Sequence, residues 1–142
     1  MLSIGRTTIL VNDLDEARDF YRAAFDFGTL FDGEVAPGLR TVHVGPAGER
    51  GSGLWLIEAT SPASVERVGA QTAGEPALVF YTDDLAAELR HFEHLAVRVV
   101  KPIISSGGAS FAHVLDNSGN EIVLAQLPDG ELEHSAYALI EE

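Results

Sequence analysis

Residues 6–13, RTTILVND, alternate between apolar and polar with the period of two that marks a strand. LDEARDFYRAAF follows, with Leu14, Ala17, Tyr21 and Ala24 at helical spacing and Phe20 and Phe25 widening the stripe. Asp13 stands where an N-cap is needed, Glu16 three residues on completes a capping-box pattern, and Gly28 stops the run. The same order returns in ALVFYTDDLAAELRHFEHLAVRV, residues 77–99. There an apolar strand meets an Asp-Leu step and then a helix buried along Leu85, Leu89, Phe92 and Ala96. Asp13-Leu14 and Asp84-Leu85 lie 71 residues apart, as do the turn glycines Gly48 and Gly119, and 71 is half of the 142-residue chain. Behind each helix three strands are expected, at about 29–33, 40–45 and 53–58 in the first half and about 97–101, 110–115 and 121–126 in the second.

The pattern predicts an α+β chain of two tandem βαβββ units, about 3–58 and about 77–127, within one domain spanning 1–142. The linker 59–76, ATSPASVERVGAQTAGEP, is rich in Pro, Ser, Thr, Ala and Gly and suits a short helix around 62–69. The tail 128–142 suits a short extra helix, which a dimer contact could use. One helix covers only one face of a unit's sheet. Two units side by side therefore give a cupped mixed sheet with helices on the outer face and a concave cavity inside.

Composition narrows the class. With 46% hydrophobic and 22% charged residues the chain can bury a core. No apolar run approaches the roughly 18–20 residues of a membrane span, and no secretory-signal pattern opens the sequence. There is no cysteine, which removes disulfides, thiolate ligands and cysteine nucleophiles together. A cytoplasmic protein that does not engage a membrane is expected. The net charge of -13, from 22 acidic and 9 basic residues, repels phosphates and argues against nucleic acid, while it could steer a cationic small molecule inward.

The paired units opened by VNDLDEARDFYRAAFDFG and DDLAAELRHFEHLAVRVVKP, with the hairpin DNSGNEIVLAQ, resemble the vicinal oxygen chelate superfamily. This is the glyoxalase / bleomycin resistance protein / dioxygenase group, whose hairpin signature is an Asp-Pro-x-Gly-Asn turn followed by a strand. The resemblance covers about residues 3–127 and implies a fold more than a reaction. The superfamily hosts isomerases, dioxygenases, thiol transferases and non-catalytic drug-binding proteins. Its enzymes hold a divalent metal with His, Gln or Glu from the first and last strands of each half. The matching positions here carry Arg6, Trp55, Ala77 and Val123. Arginine stays protonated with no lone pair to give, and the other three offer no donor. Glu58 is the nearest carboxylate to Trp55, but a one-residue slip turns a side chain to the other face. No metal and no cofactor are expected.

Those positions still mark the concave face. Alternation puts Arg6, Thr8 and Leu10 there, with Ala77, Val79 and Tyr81, Trp55 and Ile57, and Glu121, Val123 and Ala125. Arg6, His43, Trp55, Tyr81, His113 and Glu121 are the expected ligand-binding residues. Arg6 could pair with an anionic ligand group or with Glu121, and Trp55 and Tyr81 could stack on a planar or cationic ligand. His43 and His113 lie 70 rather than 71 residues apart, which leaves open that one faces the cup and the other the helices. His91 and His94 should look outward near a helix end, His134 falls in the tail, and Gly107-Gly108 forms a loop between strands. The favoured function is metal-independent binding of a small organic molecule. The resemblance further implies a homodimer whose cavities use halves of both chains. The alternatives are a metal-dependent lyase or ring-cleaving dioxygenase of the same superfamily, and a metal-free enzyme with His43 or His113 as base and Arg6 as electrostatic stabiliser.

Overall fold

The computed structural model describes residues 1–47 and 52–128. Gly48, His134 and the tail 129–142 lie outside them. The elements run β1 (Thr7–Val11), α1 (Leu14–Phe25), β2 (Gly28–Ala36), β3 (Leu39–Gly45), β4 (Leu54–Glu58), α2 (Pro62–Arg67), β5 (Leu78–Tyr81), α3 (Leu85–His94), β6 (Val99–Ser106), β7 (Ala109–Leu115) and β8 (Glu121–Gln126). The two βαβββ units are thus present. Their strands hydrogen-bond as two four-stranded mixed sheets, β1-β4-β3-β2 and β5-β8-β7-β6. In each sheet the first strand runs parallel to the fourth and the other neighbours are antiparallel. No helix among the described residues is long and apolar enough to cross a membrane.

Each helix starts on two side chains. The Asp13 carboxylate accepts from Glu16 N at 2.8 Å, while Leu14 N donates to Glu58 Oε1 at the end of β4. In the second unit Asp84 accepts from Ala87 N at 3.0 Å and Leu85 N donates to Gln126 Oε1 at the end of β8. The last residue of each unit's last strand therefore satisfies an amide that the helix itself leaves unpaired. The helix ends differ from expectation. Asp26 takes the left-handed position after α1 (φ 58°), and Gly28 opens β2. Ala96, expected in the buried stripe of α3, is exposed beyond the helix at φ 56°. Gly107 and Gly108, at φ 61° and 83°, make the two-residue hairpin turn between β6 and β7.

The helix-bearing faces of both sheets meet in one core. Ile9, Val11, Val42, Val44 and Leu56 supply it from the first sheet, Leu78, Val114, Ile122 and Leu124 from the second, and Ala17, Tyr21, Leu85 and Phe92 from the helices. Phe25 stands edge-on to Phe80 at 5.1 Å and to Phe92 at 5.6 Å, so the aromatic packing crosses from one unit to the other. The linker contributes as well. Gln71 accepts from Leu10 N and donates to Thr8 O, both at 2.9 Å, and so occupies the open edge of β1 as a neighbouring strand would.

Candidate functional site: two open sheet faces

Each sheet leaves open the face turned away from its helix. In the first sheet the register sets Thr8, Trp55, His43 and Phe31 side by side across β1, β4, β3 and β2. The His43 ring lies 5.4 Å from Phe31 and 5.9 Å from Trp55, centre to centre. Arg6, just ahead of β1, donates from Nε to His43 Nδ1 at 3.1 Å and from Nη1 to Gly5 O at 2.8 Å. An arginine Nε always carries hydrogen, so His43 Nδ1 is the acceptor and the ring's own hydrogen sits on Nε2. Burial, and then the adjacent Arg6 charge, hold the His43 imidazole below its ordinary pKa of 6.5, which keeps it neutral at pH 7. The Trp55 indole N–H is buried with no hydrogen-bond partner among the described residues.

Gly53 makes room for Leu30 and Arg6, Gly45 for Leu30 and the Ser52 carbonyl, and sequence reasoning passed over both. A Cβ at Gly53 would stand 2.7 Å from Leu30 Cδ1 and 3.4 Å from Arg6 Cδ. At Gly45 it would stand 2.8 Å from Ser52 O. Their placement two residues from Trp55 and from His43 is the signal that could have found them. It marks a flat patch on the same face, where Leu30 and the arginine stem lie down.

In the second sheet Val79, Val123, His113 and Lys101 form the equivalent row across β5, β8, β7 and β6. His113 Nδ1 lies 3.1 Å from Glu121 Oε2, with the two side chains 18% and 25% exposed. An ionised carboxylate only accepts, so here Nδ1 carries the hydrogen and Nε2 of the neutral ring is bare. Both histidines thus face the open side, His43 opposite Trp55 and His113 opposite Val123. The one-residue offset does not invert either of them. It arises ahead of β2 and β6, since Phe31 and Lys101, the partners of the two histidines on those strands, also lie 70 residues apart, and the β3–β4 and β7–β8 pairings stay in register.

The six expected residues therefore form two groups. Arg6, His43 and Trp55 share the first face, and His113 and Glu121 the second, with Tyr81, 55% exposed, on β5. Arg6 and Glu121 are not partners, since each is bound to its own histidine. A cavity of about 460 Å³ opens between the units, lined by Phe25, Phe27, Pro46, Phe80 and Tyr81 among others. His91 Nε2 lies 2.7 Å from Ala23 O and ties α3 to α1.

The positions that relatives use for metal do not fit one here. Arg6 is engaged as a donor, Trp55, Ala77 and Val123 offer no lone pair to a metal ion, and Glu58 caps α1. Among the described residues no group of three or more His, Asp or Glu side chains is placed to hold a metal ion.

The family model for the Glyoxalase/Bleomycin resistance protein/Dioxygenase superfamily matches residues 3–124. An uncharacterized protein of Shewanella frigidimarina (strain NCIMB 400) is 31% identical over 128 residues, 89% of this chain and 95% of its own. Among solved structures, TnmS3, an antibiotic binding protein from Streptomyces sp. CB03234, is 25% identical with a TM-score of 0.71, covering 89% of this chain and 97% of that one. A glyoxalase/bleomycin resistance protein from the same Streptomyces is 26% identical with a TM-score of 0.66, covering 87% and 100%.

Proposed function

The chain belongs to the Glyoxalase/Bleomycin resistance protein/Dioxygenase superfamily, and from that premise we propose that it is a metal-independent member that binds a small organic molecule against its open sheet faces. The observation that carries this reading is the set Arg6, Trp55, Ala77 and Val123 at the metal positions, where side chains suited to contacting an organic ligand or to packing replace donors. The row Trp55, His43 and Phe31 gives a planar ligand rings to stack on. TnmS3, named an antibiotic binding protein, is a precedent for binding on this fold. In this reading the protein is cytoplasmic and needs no cofactor.

The reading also includes a homodimer. Phe31, Val35 and Leu39 at the rim of the first sheet are exposed, as are Val79, Tyr81, Ile103 and Ile104 on the second. Such a spread of apolar surface suits a second copy of the chain, with each cavity closed by the first sheet of one protomer and the second sheet of the other.

Elemental analysis of the purified protein and a thermal-shift screen against aromatic metabolites and natural-product antibiotics test this. The expected outcome is no stoichiometric divalent metal and a raised melting temperature with at least one organic ligand, since a ligand that binds only the folded state stabilises it. One tightly held divalent metal per chain overturns the reading. A second reading, a metal-free enzyme, is favoured by the His113–Glu121 pair, which orients the ring and leaves Nε2 as a base. Turnover of a bound ligand that vanishes in His113→Gln while binding persists would select it.

A further inference from the structure

We propose that the first sheet's face is an oxyanion seat, in which the Arg6 guanidinium, held by its hydrogen bond to His43 Nδ1, receives the carboxylate-type end of an aromatic ligand lying along Trp55 and Phe31. This rests on the binding reading above and deepens it by naming the ligand's chemistry.

The two histidines are opposed in polarity. They occupy equivalent rows, yet His43 receives a hydrogen bond at Nδ1 from Arg6 whereas His113 gives one at Nδ1 to Glu121. At Nε2 the first ring therefore carries an N–H, and the second, in its neutral form, a lone pair. The first row offers a ligand N–H donors, whereas the second sets the His113–Glu121 pair beside Lys101.

Arg6 sharpens the contrast. Arg18, Arg22 and Arg40 lie in carboxylate pairs, but among the described residues Arg6 contacts only an imidazole nitrogen and a backbone carbonyl. Neither contact neutralises its charge. They use Nε and Nη1, hold the guanidinium plane in one orientation, and leave N–H groups to spare. A planar oxyanion is what such a fork binds best. Gly53 gives the arginine stem its place on the sheet. A cationic ligand, which the overall charge of -13 would attract to the protein, meets a fixed positive charge at this face and is turned away from it.

The test is NMR of the isotope-labelled protein titrated with 2-naphthoate and with 2-naphthylmethylammonium. Trp55 is the only tryptophan, so one indole N–H resonance reports this face. In the unliganded protein His43 is expected in the Nε2–H form near neutral pH. Naphthoate should shift the Trp55 and His43 signals saturably and bind at least about tenfold more tightly than the ammonium, and Arg6→Met should abolish that preference. The proposal is overturned by an Nδ1–H tautomer at His43, by equal or tighter binding of the ammonium, by an unchanged preference in Arg6→Met, or by no binding of naphthoate. The tautomer and the wild-type titrations decide the matter even where the variant does not fold. Binding of the ammonium alone would remove the oxyanion seat and leave the metal-independent reading intact, whereas that reading falls on its own test, a bound metal.

Discussion

Tyr21 Oη donates a 2.8 Å hydrogen bond to Asp116 Oδ2, joining α1 of the first unit to the β7–β8 turn of the second. Asp116 is 5% exposed. Its Oδ1 accepts from Ser118 N and Asn120 N, both at 2.9 Å, and its Oδ2 accepts from Asn120 Nδ2 at 2.9 Å besides the tyrosine. The carboxylate's lone pairs are thereby fully used. Asn120 extends the network, with Nδ2 donating to Leu10 O at 3.0 Å and Oδ1 accepting from Gly69 N at 3.2 Å. The Asp-x-x-Gly-Asn turn thus bolts the second unit to the helix, first strand and linker that precede it. A buried polar network satisfied in this way rigidifies the junction it crosses.

Removing one member should show how much the junction depends on it. Tyr21→Phe leaves Asp116 Oδ2 one donor short and should destabilise the fold by about 1–3 kcal/mol. Asn120→Ala should cost more, because Asp116, Leu10 and Gly69 all lose a partner. The two losses should be non-additive, since both act on the same carboxylate. Urea unfolding of the single and double variants measures this, and simple additivity would contradict a shared network.

Tyr21 also sets an alkaline limit. Burial, then the Asp116 charge, raise its phenol pKa well above the ordinary 10.0. Above pH 10.0 the unfolded chain loses this proton while the folded chain keeps it, so the stabilisation is complete below that pH and declines as pH rises toward the folded value. Unfolding midpoints across this range should fall for the wild type and fall less for Tyr21→Phe.

The repeat, the helix N-cap at Asp13, and the turn at Gly119 were legible because each is a local pattern. Gly119 has φ 89°, which its neighbours' turn chemistry required. Contacts made across strands were not legible. Glu58 and Gln126 cap helices that precede them by dozens of residues, and Gln71 edges β1 from the linker. Alternation assigns a side chain to a face but not to a diagonal neighbour, so Arg6–His43 and His113–Glu121 waited on register and twist. The orientation of the two histidines depended on connection lengths, which hydrophobic pattern does not encode.

His43 gives the opposite pH dependence to Tyr21. Its folded pKa lies below 6.5, through burial first and Arg6 second. In acid the unfolded chain binds this proton more readily. The stabilisation is therefore present above pH 6.5 and is lost as pH falls through the folded value. Unfolding midpoints from about pH 7.5 to about pH 5 should decline more steeply for the wild type than for His43→Gln. Arg6→Met should move the His43 titration upward, though burial keeps it below the ordinary value, and NMR titration of the imidazole reads both effects.

The end of α3 offers a gain in stability. Val97 N donates to Phe92 O at 3.1 Å, closing a left-handed cap in which Ala96 holds φ 56°. A Cβ is disfavoured in that conformation, and glycine is the residue such caps select. The first unit meets the same need with Asp26 at φ 58°, a residue type that visits the region more readily than alanine. Ala96 is exposed and makes no part of the core, so Ala96→Gly removes the backbone cost without losing packing. The gain should be about 0.5–1 kcal/mol, the relief of the left-handed alanine less the added entropy of an unfolded glycine. Thermal and urea unfolding measure it. A loss of stability in Ala96→Gly would overturn the assignment of a backbone cost to this cap.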